Sequence, residues 1–261
     1  MTRFYFLIIL SLTFLTNKID ASISGDPGEI IAIKLINKNK NTNNLTVNIE
    51  GDIYELIPLP FDKQGESILI NNESIYVNNK DFGESRIKIE NTSMVSLSEE
   101  DSQRAYKESQ IIKNTLNSYT TVYKPNFNFI QPVEGIISSR YGKRRFINDL
   151  PRSPHLALDI AALSGTKIVA PAKGKIILIG DFFYSGNFII IDHGYGLLTS
   201  YSHLSKVNVI KNQFVEQGQK IGEVGSTGRV TGPHLHWTVY LNKVRINPEL
   251  IIQEDFLKSL L

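Results

Sequence analysis

Five histidines, at 155, 193, 203, 234 and 236, are the side chains of this 261-residue chain best suited to chemistry, and all fall in its C-terminal half. His155 and Asp159 stand four apart in His155-Leu-Ala-Leu-Asp159. On a strand, residues an even number apart share a face, so these two point the same way while Leu156, Leu158 and Ile160 enter the core. His234-Leu-His236-Trp-Thr-Val-Tyr-Leu241 repeats the logic, with both histidines on one face and Leu235, Trp237, Val239 and Leu241 on the other. Thr199, Tyr201 and His203 make a third such row. If the three strands are neighbours, their polar faces line one groove. Zinc takes imidazole nitrogens and carboxylate oxygens at about 2.0–2.2 Å, and a catalytic site keeps one position open for water. Two histidines and an aspartate supply three ligands; two further histidines can then move a proton from water and stabilise a tetrahedral intermediate. Spacing alone does not say which of His234 and His236 binds the metal.

Composition narrows the alternatives. The chain has no cysteine, which excludes disulfides, thiolate nucleophiles, Fe–S clusters, cysteine-ligated zinc and lipid attachment through cysteine. A formal net charge of +2 makes no electrostatic case for a nucleic-acid partner. Residues 1–21 read as a signal peptide: Arg3 precedes a short apolar run from Phe4 to Leu15, and Ala21 offers a small-residue cleavage site. A helix of that length spans roughly 18 Å, too short for a hydrocarbon core of about 30 Å. The expected location is therefore outside the cytoplasm, in the periplasm or cell envelope, with membrane contact only through the signal segment if it is not removed.

The remaining residues must position the histidines. Thirteen of the 18 glycines lie from Gly135 onward, so the C-terminal region is turn-dense and differs from what precedes it. The fold class expected is all-β. Residues 22–96 carry short β-branched runs, at 30–36, 46–49, 53–57, 67–70, 74–77 and 86–89, which predict a small antiparallel sandwich or barrel. Ser98 followed by Glu99, Glu100 and Asp101 predicts a helix start. That helix runs to about Ser118 within a linker at 97–126, with a narrow apolar stripe of Ala105, Ile112 and Leu116 that suits a bridge between domains. Residues 127–261 form the second domain, with strands predicted at 167–170, 175–179, 188–192, 197–203, 207–210, 220–224 and 234–241.

The residues around the histidines resemble the M23 family of zinc peptidoglycan endopeptidases, the LytM and lysostaphin-like group. The family's H-x-x-x-D stands as His155-Leu-Ala-Leu-Asp159 and its H-x-H as His234-Leu-His236. Ile137-Ser-Ser-Arg-Tyr-Gly142, Gly165-Thr-Lys-Ile-Val-Ala-Pro171, Ser200-Tyr-Ser-His-Leu204 and Thr231-Gly-Pro-His-Leu-His-Trp237 follow the family's blocks in order, from about Phe127 to Leu250. The resemblance implies an antiparallel catalytic sheet, one zinc ion held by His155, Asp159 and His236, and His203 with His234 as the catalytic pair. It implies an exported endopeptidase acting on peptide cross-links of peptidoglycan, with a small β-domain in front that covers the groove or positions the enzyme on the wall. Leu156 and Ala157 depart from the pattern where a glycine is common. Some relatives have lost site residues and serve as wall-binding or amidase-activating modules; the intact set of five argues against that role, and a structural zinc site would need a fourth protein ligand.

Other features carry less. His193 reads as a turn residue, and Gly225 to Gly232 lacks the ending of a phosphate loop and precedes a strand. Its glycines suit a close approach of backbone to substrate. Lys143, Arg144, Arg145 and Arg152 bracket the first ligand, as contacts for wall carboxylates or as a solvated basic loop. Ser139, Ser200 and Ser202 have no base-and-orienter partnership that rivals the metal site.

Overall fold

The computed structural model describes residues 23–36, 44–90 and 96–261. The expected signal segment lies outside these. Among the described residues no helix is long and apolar enough to cross a membrane.

The N-terminal part is β-structure, with its strands close to the runs expected. They are β1 (Ile23–Gly25), β2 (Ile30–Lys34), β3 (Thr46–Ile49), β4 (Asp52–Pro58), β5 (Ser67–Ile70), β6 (Glu73–Val77) and β7 (Glu84–Ile87). β2, β4 and β3 form an antiparallel sheet, and β1, β6 and β5 form another in which β1 and β6 run parallel, against the all-antiparallel expectation. Alternation along β2 decides the packing. Ile31 and Ile33 turn toward Ile57, Leu59, Ile75 and Val77 between the two sheets, whereas Ile30 joins Leu45, Val47, Ile49 and Leu56 in the large core of the C-terminal region.

α1 (Glu99–Thr115) begins where expected: the Ser98 side chain accepts from the Asp101 amide at 3.0 Å, and three acids occupy the first turn. It buries no residue fully. Ile112 and Leu116 rest on Leu178, Phe182, Phe188, Ile190, Leu198 and Tyr240, and Glu108 accepts from the Phe183 amide at 2.6 Å.

The C-terminal region comprises β8 (Ile136–Ser139), β9 (Arg144–Ile147), β10 (Leu150–Arg152), β11 (Leu158–Ala161), β12 (Lys167–Val169), β13 (Gly174–Phe182), β14 (Gly186–Asp192), β15 (Leu197–Val207), β16 (Phe214–Val215), β17 (Lys220–Val224), β18 (His234–Leu241), β19 (Val244–Ile246) and the short α2 (Pro248–Ile251). Its main sheet is antiparallel, in the order β16-β13-β14-β15-β18-β11-β8, with β12 and β17 paired beside β15. The run at 207–210 is not a separate strand; Val207 ends β15 and the rest is connection. Leu158, Ile160, Leu235, Trp237 and Val239 point into the core as alternation requires. Leu156 does not: it is only half-buried, and Ala157 takes the inward place because the strand begins at Leu158, after the first histidine. β7 pairs in parallel with β9, so the last strand of the N-terminal part joins a three-stranded sheet with β9 and β10 beside the groove.

Candidate metal centre

Three adjacent strands bring the site residues together. β11 pairs with β18 so that Asp159 lies opposite His236 and Ala161 opposite His234, and β18 pairs with β15 so that His236 lies opposite Ser202. His155 precedes β11 and is held there because its amide donates to the Lys143 carbonyl at 2.9 Å while its carbonyl accepts from the Gly142 amide at 2.7 Å. His155 Nε2 and His236 Nδ1 lie 3.0 and 2.7 Å from Asp159 Oδ1, and 3.4 Å from each other. Of the described residues, these three form the group of donors able to share one ion.

His203 reaches the site by a route that alternation does not foresee. Thr199 and Tyr201 point into the core, where Tyr201 lies opposite Trp237, so the expected polar row of 199, 201 and 203 does not exist. The pairing of β15 with β14 shifts register at this point, and His203 has φ +68°. This bulge turns its side chain onto the face of Ser202 and His236. Its ring then stands 4.9 Å from that of His234 and 5.8 Å from that of His236, centroid to centroid.

Hydrogen bonds fix the tautomers. His203 Nδ1 donates to the Thr227 carbonyl at 2.9 Å, His234 Nδ1 to the Gly232 carbonyl at 2.8 Å, and His155 Nδ1 to the Arg140 carbonyl at 3.0 Å. Each leaves Nε2 as an acceptor on the groove side. In a neutral His155 the Nε2 lone pair then faces Asp159 Oδ1, and two acceptors that close require a cation between them. Ligand bonds of about 2.0–2.2 Å give tetrahedral edges of roughly 3.3–3.6 Å; the 3.4 Å between the histidine donors falls in that range, and the 3.0 and 2.7 Å to Asp159 need only a small outward shift to reach it. The residues therefore fit a zinc ion held by His155, Asp159 and His236.

The electrostatics agree with that use. Burial pushes Asp159 up, but the charges and hydrogen bonds of His236 and His155 outweigh it and hold the carboxyl well below its ordinary range. Burial pulls His236 down to about 4 against the attraction of Asp159. Burial, with repulsion from His236 and His234, takes His203 to about 3. Metal ligands must be neutral imidazole and carboxylate, the forms these shifts favour for His236 and Asp159.

The groove widens into two cavities on either side of these residues. One, of about 460 Å³, includes Asp159, His203 and His234 and is walled by Ile87, Ile89 and Ile147. The other, of about 490 Å³, includes His155 and His236 and runs beneath Ile112 of α1. His193 is not part of either. It is buried in the core, where its Nδ1 donates to the Lys173 carbonyl and its Nε2 accepts from Thr199, both at 2.8 Å. Ser139 Oγ lies 3.2 Å from His155 Nδ1, behind the ligand, and Ser202 lines the groove. Sequence reasoning missed Thr227, whose carbonyl orients His203, and Tyr184, over which Arg229 stacks at 4.1 Å. The glycine density from Gly225 to Gly232 was the available signal for a loop packed close to the site.

Peptidase family M23 matches residues 153–248, a segment that contains all five site residues. A Pseudomonas aeruginosa crystal structure named as a peptidase M23 superposes with a TM-score of 0.67 at 29% identity, over 87% of this chain and 94% of that one. The chain belongs to peptidase family M23. The catalytic domain of the antimicrobial peptidase lysostaphin of Staphylococcus simulans is 32% identical over 46% of this chain and 93% of that domain, with a TM-score of 0.42. The peptidoglycan DD-endopeptidase ShyA of Vibrio cholerae is 40% identical over 112 residues, 42% of this chain and 26% of that protein. The chain thus matches about a quarter of that relative's length.

Proposed function

We propose that this M23 protein is an exported, zinc-dependent endopeptidase that hydrolyses peptide cross-links in peptidoglycan during cell-wall remodelling. The observation that carries the reading is the pairing, on one groove floor, of a three-donor centre (His155, Asp159, His236) with two further imidazoles, His203 and His234, each anchored at Nδ1, with His234 Nε2 3.9 Å from Asp159 Oδ1. A relative named as a peptidoglycan DD-endopeptidase supports the substrate class. The signal-like residues 1–21 support export to the periplasm or envelope.

When bound, zinc supplies Lewis acidity, which brings the pKa of a water from 15.7 to about 7 and polarises a carbonyl. The protein's own groups do the rest. Asp159 and His236 come from paired positions of a rigid sheet, and the carbonyl of Arg140 sets the His155 tautomer, so the three donors are held before substrate arrives. His203 and His234, each anchored at Nδ1, present Nε2 to accept a proton from the attacking water and, once protonated, to donate to the developing oxyanion or the leaving amine. The site has three protein donors, which leaves a position for water, as catalytic zinc requires.

Purified protein incubated with cross-linked muropeptides is expected to release un-cross-linked peptides, identified by mass spectrometry. A chelator should abolish the release and zinc restore it. Intact cross-links after digestion with zinc-loaded protein would overturn the proposal. Export is read separately, as a mature N-terminus after Ala21 in envelope fractions.

A further inference from the structure

The 490 Å³ cavity beside His155 and His236 is lined by four arginines, Arg145, Arg152, Arg229 and Arg245, and by no aspartate or glutamate. Arg145 and Arg152 differ from the described arginines outside it. Arg86, Arg104, Arg140 and Arg144 each have a carboxylate partner. Arg145 and Arg152 form no ion pair within 4.0 Å of any described residue, although the Asp159 carboxylate attracts Arg145 from the neighbouring cavity, and the Nε of each is buried without a hydrogen-bond partner. An unsatisfied donor on a buried cation is costly, and neighbouring guanidinium groups repel each other. Burial, reinforced by the charges of Arg145 and Arg152, depresses the Arg229 pKa. Arg229 is nevertheless held in place, with its guanidinium over the Tyr184 ring at 4.1 Å and its amide donating to the Tyr184 carbonyl at 3.0 Å. Arg245 is engaged with Tyr240, 5.6 Å from its ring.

We propose that Arg145, Arg152 and Arg229 form a carboxylate-binding subsite next to the metal centre, which seats a free carboxylate of the peptide whose bond is cut. The inference rests on the reading of the groove as a peptidoglycan peptidase site, and deepens it. A carboxylate presents two coplanar oxygens that match the fork of a guanidinium, and it would satisfy the orphaned donors and offset the clustered charge together. Peptidoglycan stem peptides carry such groups on their side chains and termini. His155 and His236 line the same cavity as the arginines, so an extended peptide at the metal centre can place a neighbouring residue there. The subsite would therefore select for unamidated peptides.

The test uses zinc-loaded full-length protein and two un-cross-linked stem peptides, one with free carboxylates and one with these converted to carboxamides. Isothermal titration calorimetry should show the free form binding at least about tenfold tighter, equivalent to about 1.4 kcal/mol. The Arg145→Gln/Arg152→Gln variant should reduce the preference to within about twofold, with the carboxamide affinity and zinc content unchanged. Arg152→Gln alone, on an edge strand, should remove part of the preference and guards against misfolding of the double variant. Equal binding of the two peptides by wild type, or a preference that survives both variants, would overturn the subsite. Cross-link digestion is measured in parallel. If digestion proceeds without any carboxylate preference, the subsite fails alone; if the wild type neither digests nor binds, the functional reading fails with it.

Discussion

Four of the five histidines commit Nδ1 to a backbone carbonyl, and what Nε2 meets divides them by role. For His155, His203 and His234 it faces the groove, whereas for His193 it is satisfied by Thr199 inside the core. His236 is the exception, with Nδ1 itself turned to Asp159 at 2.7 Å. On the proposed assignment, the Asp159→Ala variant should lose the zinc, since it removes the group that both His155 and His236 approach. Partners outside the ligand shell alone are worth about 10–100-fold in affinity or activity, and loss of a ligand should exceed that. Zinc measured by elemental mass spectrometry should fall from one equivalent to near zero, with hydrolysis; full activity in Asp159→Ala or His236→Ala would rule out the assigned ligands. His193 predicts a pH effect on stability. Burial lowers its pKa from 6.5 to about 4, so between these values the unfolded chain takes up a proton that the folded chain refuses. Stability is complete above pH 6.5 and falls on acidification toward pH 4, by on the order of 3 kcal/mol from this group. His203 and His236 shift in the same direction, so the comparison must isolate His193. His193→Asn, which keeps a donor for the Lys173 carbonyl, should lose less in Tm between pH 7 and 4.5 than wild type; an equal loss would contradict the argument.

At the scale of elements, the alternation along β11 and β18 was readable because both strands keep a strict two-residue period between core and groove, and the H-x-H pair emerges on one face as expected. The helix start was readable from its cap and first-turn acids. Alternation also puts His203 in the groove, but in a polar row with Thr199 and Tyr201 that the fold does not form; its catalytic role rests on the family resemblance. A one-residue bulge reverses every later side chain, and nothing local in Thr199 to His203 signals it, because the left-handed residue is a histidine and not a glycine. The bulge is held from outside, by the Ser185 carbonyl on the His203 amide and the Thr227 carbonyl on its ring. Gly228 is the weak point of that support. Its φ is +76°, and a Cβ there would come within 2.4 Å of the Gly186 amide nitrogen. Gly228→Ala should displace the adjoining Thr227, and a misplacement on the order of 1 Å near a reacting group costs about 100-fold. A fall of about 10–100-fold in kcat, with zinc content retained because no ligand touches this loop, is the expected outcome. Unchanged kcat would mean that Thr227 does not orient His203.

At the scale of the whole molecule, the sequence suggests a small domain in front of a catalytic one, but long-range pairing joins the two more closely than composition reveals. Ile30, Leu45, Val47, Ile49 and Leu56 share a single core with Leu235, Trp237 and Val239. β7 completes a sheet with β9, and Ile87 and Ile89 wall the groove that holds His203 and His234. Tyr141, just before the first ligand segment, is enclosed by Phe61 and Phe82 at 6.1 and 5.9 Å. Each buried aliphatic side chain is worth about 1.5–3 kcal/mol of removal from water, so the five named reach roughly the whole net stability of a domain, about 5–15 kcal/mol. Deleting residues 22–96 should therefore do more than uncover or reposition the groove. It should bare the apolar face these residues cover, open the edge of β9, and remove one groove wall. The fragment 97–261 is expected to be aggregation-prone or to melt at least 10 °C below the intact chain, and to cut cross-links poorly even where it stays soluble. A fragment of undiminished Tm and raised activity would instead make the N-terminal part a detachable cover, and would separate the two cores that the packing joins.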